Sequence, residues 1–132
     1  MAGAMRKVIP IASIFRQPAN DVFSETVGLL ATFLSSGRAG SIDLPSRGLT
    51  PDDAAVIRDQ LGFGEVNAVV KALGQTHIHE TAYAGVWWLS HRDEDGTVVS
   101  EVIEVTDCPE LLRSPREDFA ASLRRLQNLQ KP

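Results

Sequence analysis

The sequence has few of the features that would assign a chemistry to it at once. It holds a single cysteine, Cys108, which excludes an internal disulfide and fits a reducing compartment. Its 13 basic residues do not outnumber its 17 acidic ones, whereas nucleic acids and anionic membranes attract clustered lysine and arginine. No apolar run approaches the roughly 20 residues that span a bilayer. At 132 residues we expect one cytoplasmic domain that binds neither nucleic acid nor membrane.

The first residues imitate the start of a secretory signal, with Arg6-Lys7 followed by the apolar run 8–15. Pro10 interrupts this run, and a small-residue cleavage site does not follow it. The sequence favours an extended arm or edge strand that lies on the domain.

The first predicted helix is capped by Asn20 or Asp21 and ended by Gly37. It is apolar over more than one face, which is open to two interpretations. The helix is either a core helix that is packed on both sides, or one that offers its second face to a partner or a second copy. Burial on both sides is favoured, because a wide apolar face is usually covered. The apolar positions are Val22, Phe23, Val27, Leu29, Leu30, Phe33 and Leu34.

Two further helices have clear start signals. Thr50 is a predicted N-cap with Pro51 at the first helical position, and Gly62 is predicted to end that helix. Ser114-Pro115 is predicted to begin a last helix, residues 115–129, by the same logic.

Between these helices the apolar residues alternate with a period of two, which predicts β-strands. We expect a half-buried strand at 65–71, a long strand at 76–90 that bends at Ala84-Gly85, and a strand at 98–106. We also expect a short strand at 41–44. The pattern indicates an α+β fold, with a three- to four-stranded antiparallel β-meander packed with about three α-helices.

A cluster of metal-ligand types occurs in the second strand. His77 and His79 project to one face of a strand and Glu80 to the other. Two histidines supply half of a tetrahedral site, and Cys108 joins them only if the fold brings it across the sheet. We therefore predict no metal, no cofactor and no catalytic residue. A metal or iron–sulfur carrier that uses His77, His79 and Cys108 remains the alternative.

The pair Trp87-Trp88 is the most informative aromatic feature. Neighbouring strand residues face opposite sides, so the two rings cannot enter one core. Burial of one ring removes roughly 150–250 Å² from water. Trp87 is predicted to be the core ring, because it shares a face with Tyr83 and Leu89. Trp88 is predicted to contact a partner, with coverage of both rings by the chain's own helices as the alternative.

Four short motifs occur in order within residues 42–112. They are Asp52-Asp53, Leu61-Gly62 with Gly64-Glu65-Val66, Glu80 with Gly85-Val86-Trp87, and Pro109-Glu110-Leu111. Together they resemble the conserved domain of the HupH/HyaF family of hydrogenase-expression proteins.

The resemblance implies a non-enzymatic accessory or chaperone protein for nickel–iron hydrogenase maturation. The implied partner is the iron–sulfur small subunit before assembly and export, with other maturation proteins as further partners. Longer family members look like two copies of the domain. Because this chain holds a single copy, the pairing of two chains into a homodimer is an alternative arrangement. An oligomeric scaffold protein is a second alternative function.

The resemblance also implies how the chain is divided into segments and which residues have a role in the site. The single domain, 1–132, would comprise an N-terminal arm and helix at 1–40, the family core at 42–112 and a C-terminal helix at 115–129. Partner contacts are predicted at Glu65, Glu80 and Trp88, and structural motif roles at Gly62, Gly64, Gly85, Trp87 and Pro109.

Overall fold

The structure, a computed structural model, describes residues 2–130 and the side chains of residues 19–130. These residues form an α+β domain, which confirms the predicted fold class. Two single-turn 3₁₀ helices, Pro45–Arg47 and Glu110–Leu112, lie in the connections. The main elements are α1 (Ala2–Ser36), β1 (Gly40–Asp43), α2 (Pro51–Leu61), β2 (Asn67–Lys71), β3 (Gln75–Glu80), β4 (Val86–Arg92), β5 (Val98–Val105) and α3 (Arg116–Leu129).

All strands belong to one antiparallel sheet in the order β1-β5-β4-β3-β2. Strands β2 to β5 are neighbours both in sequence and in space, as the meander prediction required. The sheet has five strands rather than three to four. β1 is the short strand expected at 41–44, and it adds to β5 with Ile42 opposite Ile103. Strands β1 and β2 therefore form the two edges. The single long strand expected at 76–90 is wrong, because the bend at Gly85 reverses the chain and β3 pairs with β4, with Ile78 opposite Leu89.

Helix α1 is longer than the sequence predicted. It begins at Ala2, so the predicted extended arm is wrong, and Asn20 and Asp21 lie inside the helix instead of capping it. Pro10 and Pro18 explain the error, since each proline removes one backbone hydrogen bond and normally marks a helix boundary. Here the helix continues through both prolines. In the described part of the chain, no helix combines the length and hydropathy that a bilayer crossing requires.

One side of α1 packs on the sheet. Ala19 and Val22 are buried there, whereas Val27 and Leu34 on the other side are 69% and 81% exposed. The predicted burial on both sides is therefore wrong. The predicted end of the helix is confirmed, because Gly37 adopts φ 73° and donates its N–H to the last turn.

Helix α2 forms where its start and stop signals predict. Thr50 Oγ1 accepts the N–H of Asp53 at 3.1 Å, and the Asp53 carboxylate accepts the N–H of Thr50 at 3.0 Å. This reciprocal pair is a capping box. Ile57 and Leu61 are buried on the inner side of the helix, which fixes α2 on the sheet.

The sheet has two different faces. The helix-side face carries Ile42, Val86, Trp88 and Ile103, which form one buried cluster with residues of α1 and α2. The far face carries Trp87, Ile78 and Leu89. Because both Trp88 and Trp87 are buried, at 1% and 6% exposure, both faces hold apolar side chains away from water.

Helix α3 is separate from this core. It begins at Arg116 after Pro115, and no side chain caps it, so the predicted capping role of Ser114 is not observed. None of its described residues is buried. Its apolar residues are exposed: Phe119 by 62%, Leu123 by 59% and Leu126 by 61%. The helix forms by local rules and packs little on its own chain.

Candidate functional site

The family-like motifs meet where α2 ends and β3 turns into β4. Ala82 N–H donates to Leu61 O at 2.9 Å, and Gly64 N–H donates to Glu80 O at 2.7 Å. Residues 61–66 therefore run beside residues 80–82. Motifs that are separated in the sequence form one continuous structural unit.

The glycines of this unit have steric reasons to be glycine. A Cβ at Gly64 would lie 2.7 Å from Thr81 O, closer than real contacts allow. Gly62 and Gly85 adopt φ values of 71° and 85°, which side-chain-bearing residues rarely adopt. These three positions hold the end of α2 against the β3–β4 bend.

Trp87 and Pro109 join the last motif to the far face. Trp87 Nε1 donates to Thr106 O at 3.0 Å. Glu110 N–H donates to the carboxylate of Glu104, the residue opposite Trp87, at 3.2 Å. Pro109 between them is fully buried. The segment after β5 therefore folds over the Trp87 ring.

Beside the motif unit lies an open cavity of about 510 Å³, here called the apolar groove. Val27 on α1 and Tyr83 in the β3–β4 bend are 69% and 58% exposed, although both line it. Apolar side chains left in water in one place are typical of an interaction surface. The lining residues are Phe23, Thr26, Val27, Leu30, Gln60, Leu61, Tyr83 and Val86.

Sequence reasoning did not place Val27 and Tyr83 in a site. The available signal is the unusually wide apolar face of the first helix, for which burial on both sides was favoured over a face offered to a partner or a second copy. Tyr83 was grouped with Trp87 on a strand, whereas it lies in the bend between strands, where its N–H is bound by Thr81 Oγ1 at 3.1 Å.

The predicted role of Trp88 needs correction. Trp88 is 1% exposed and belongs to the cluster under the helices, so its ring has no surface to offer to a partner. Trp87 is buried, as predicted, on the far face. Both rings are covered, as the alternative expected, and the segment after β5 contacts the Trp87 indole.

Glu65 and Glu80 lie close in the fold but differ in exposure. Glu65 is exposed in the segment before β2. Glu80 is partly buried at the end of β3, opposite Trp87 on the far face. The three predicted contacts, Glu65, Glu80 and Trp88, therefore do not share one surface.

A second cavity, of about 290 Å³, opens on the helix-side face of β2, β3 and β4 and is here called the polar cavity. The His79 ring packs on Phe63 with 4.6 Å between centroids. Burial, and secondarily the charge of Arg58, lowers the pKa of His79 below its usual value. The lining residues are Arg58, Phe63, Asn67, His77, His79, Trp88, Ser90 and Arg92.

The histidines do share a face, as predicted, with His77 opposite Ser90 and His79 opposite Trp88. Cys108 lies in the segment that folds over the far face. Among the described residues, no three His, Cys, Asp or Glu side chains come close enough to hold a metal ion. The structure therefore does not assemble the set that the carrier alternative requires.

The fold and its exposed apolar groove define an α+β domain with a candidate interaction surface. The profile of the family "HupH hydrogenase expression protein, C-terminal conserved region" matches residues 17–131, and the chain belongs to that family. The match is wider than the motif-bearing core at 42–112, since it also includes most of α1 and α3.

Known relatives carry related names. A solved structure of the hydrogenase expression protein HupH from Thiobacillus denitrificans ATCC 25259 has a TM-score of 0.78 and 41% identity, covering 82% of this chain and 90% of that one. Hydrogenase expression/formation protein HoxQ of Azotobacter vinelandii is 24% identical over 69% of this chain and 32% of its own length. The corresponding protein HupQ of Azotobacter chroococcum mcd 1 is 40% identical over 52% of this chain and 23% of its own length. The chain thus spans a third or less of these two curated relatives.

Proposed function

We propose that this chain is a non-enzymatic accessory protein of nickel–iron hydrogenase maturation that holds an immature hydrogenase subunit in the cytoplasm. Family membership supports the hydrogenase connection, because the relatives are named hydrogenase expression or formation proteins. The iron–sulfur small subunit is the proposed partner, because it is the partner that the family resemblance implies.

The apolar groove is the observation that carries this proposal. Its rim residues, Val27 and Tyr83, are exposed in the free domain. Its wall is built from the motif unit, through Leu61 and Val86. A subunit that waits for assembly exposes apolar surface, and covering that surface prevents non-specific association. The groove offers an apolar surface that can cover such a region.

Affinity capture of the co-expressed small subunit tests the proposal. Val27→Glu places a charge in the groove at an exposed helix position, so the fold should be retained. Burying this unpaired charge against an apolar partner is costly, and we expect capture to fall at least tenfold. Val99→Glu is the matched control, because Val99 is also exposed, by 54%, and does not line the groove.

The outcomes separate the surface from the function. Equal capture by wild type and Val27→Glu, at equal amounts of folded protein, would remove the groove from the proposal. Failure of the wild type to capture the small subunit would count against the proposed function. An equal loss with Val99→Glu would indicate a general effect of added charge.

A further inference from the structure

Among the described side chains, the part of the helix-side face that belongs to β2 and β3 is exposed. Helix α2 ends at Leu61, and beyond it the side chains of β2 and β3 on this face reach solvent. Asn67 and His77 are exposed there, and Val69, opposite His77, is 47% exposed. The polar cavity lies in this exposed part of the face.

The polar cavity is lined mainly by cationic and hydrogen-bonding groups. Its walls contribute two guanidinium groups, two imidazoles, an amide and a hydroxyl, and none of the residues that line it in the described structure carries a carboxylate. The whole chain has a formal charge of −4, so this local excess of cationic and donor groups runs against the overall composition. Such a cluster attracts anions.

Most of the donor capacity is not used within the domain. Arg58 has an ion pair of 3.8 Å with Glu101, and Arg92 donates one hydrogen bond to Gly96 O. Each guanidinium carries further N–H donors. The Trp88 ring, which lies 6.0 Å below the Arg58 guanidinium, also holds a buried Nε1–H without a partner among the described residues.

We propose that the polar cavity binds a carboxylate that is carried on an extended, acidic segment of a partner polypeptide. Arg92 and Arg58 would receive the carboxylate as charge-assisted donors, and His77, Asn67 and Ser90 would accept or donate further hydrogen bonds at the rim. The inference rests on the proposed function only in taking the partner to be a polypeptide.

The shape of the site favours a polypeptide over a small free anion. Small-molecule sites enclose most of the ligand, whereas this cavity is open to one edge of the sheet. Phe63 on its rim is 63% exposed and can pack on a neighbouring apolar side chain of a segment. The edge strand β2 lies alongside, and an extended chain fits such an edge.

A peptide titration followed by two-dimensional ¹H–¹⁵N NMR tests the inference. The probe is the acetylated, amidated peptide Gly-Glu-Val-Glu-Gly, compared with Gly-Gln-Val-Gln-Gly and with free acetate. We expect the glutamate peptide to shift the indole N–H signal of Trp88 saturably. The indole of Trp87, which donates to Thr106 O on the far face, is the internal reference.

Substitutions locate the binding. Arg92→Gln should weaken the glutamate peptide about tenfold, the effect of one lost charge-assisted hydrogen bond. Arg58→Gln is the second variant and should act in the same direction. Arg124→Gln on α3 is the matched control and should leave the affinity unchanged. Added salt should weaken binding of the glutamate peptide.

Several results would overturn the inference. Equal binding of the glutamine peptide would show that the carboxylate is not recognised. Equal shifts with acetate would show that the site does not require a polypeptide. No shift of the Trp88 indole at saturating glutamate peptide removes the site. Because the probe contains no hydrogenase sequence, these failures leave the capture experiment with Val27→Glu unaffected.

Discussion

Trp88 on β4 and His79 on β3 lie directly opposite each other, and each holds a buried ring nitrogen without a hydrogen-bond partner among the described residues. Burial and the nearby Arg58 lower the pKa of His79. The folded domain therefore favours the neutral imidazole. Both residues line the polar cavity, so protonation of His79 links this cavity to the stability of the domain.

The stability of the domain should depend on pH through His79. In the unfolded chain His79 takes up a proton near its usual pKa of about 6.5. In the folded chain its imidazole stays neutral until a lower pH. The unfolded state binds more protons in this interval, so the free energy of unfolding falls as the pH is lowered from about 6.5 through the folded pKa. Urea unfolding at a series of pH values measures this slope.

The variant His79→Gln should flatten the slope, because the titrating group is gone. His77→Gln, which alters an exposed histidine on the same strand and face, should retain it. An unchanged slope in His79→Gln would show that another group causes the pH dependence.

Gly64 and Gly28 should respond oppositely to alanine. Gly64→Ala places a Cβ 2.7 Å from Thr81 O, and we expect a loss of about 1–3 kcal/mol in the free energy of unfolding, as for other overpacked sites. Gly28→Ala adds a methyl to open space in α1, and we expect a gain of about 0.5–1 kcal/mol. Chemical denaturation of the two variants measures both. A neutral Gly64→Ala would contradict the close packing of the motif unit.

Alanine substitution of a core leucine and of a leucine in α3 should change the free energy of unfolding by very different amounts. Leu44 is 1% exposed and Leu126 is 61% exposed. Leu44→Ala should therefore cost about 2–5 kcal/mol of unfolding free energy, and Leu126→Ala less than about 0.5 kcal/mol. Thermal and urea unfolding at two protein concentrations measure the effect. A large, concentration-dependent cost for Leu126→Ala would show that α3 packs on a second copy of the chain.

Local signals in the sequence predicted those elements whose determinants are themselves local. Thr50, Pro51 and Gly62 mark α2 because caps act within one turn. The meander was predictable because consecutive antiparallel strands join through short turns. The α+β class and the glycine-rich bend at Gly85 follow from the same rules.

The features that sequence reasoning missed depend on distant contacts. The expected strand at 76–90 is two strands, because alternation does not show that the chain reverses at Gly85, whereas the pairing of β3 with β4 does. The contact role predicted for Trp88 is wrong because alternation shows that the two rings diverge, but not which side the helices cover. The apolar groove combines α1, α2 and the bend after β3, which no local pattern connects. The polar cavity likewise takes Arg58 from a helix and His77 from a strand.

The strand order has a consequence for the order in which the domain folds. Among the described strands, β1 pairs with β5 alone, and Val98, the first residue of β5, is synthesised well after Asp43. The neighbouring strands from β2 to β5 can pair through short-range contacts, which form quickly. The inner side of α1, with Ala19 and Val22, gains its final sheet contacts only when β5 is complete. During synthesis, α1 and β1 therefore complete their packing on the sheet only after the last strand has formed.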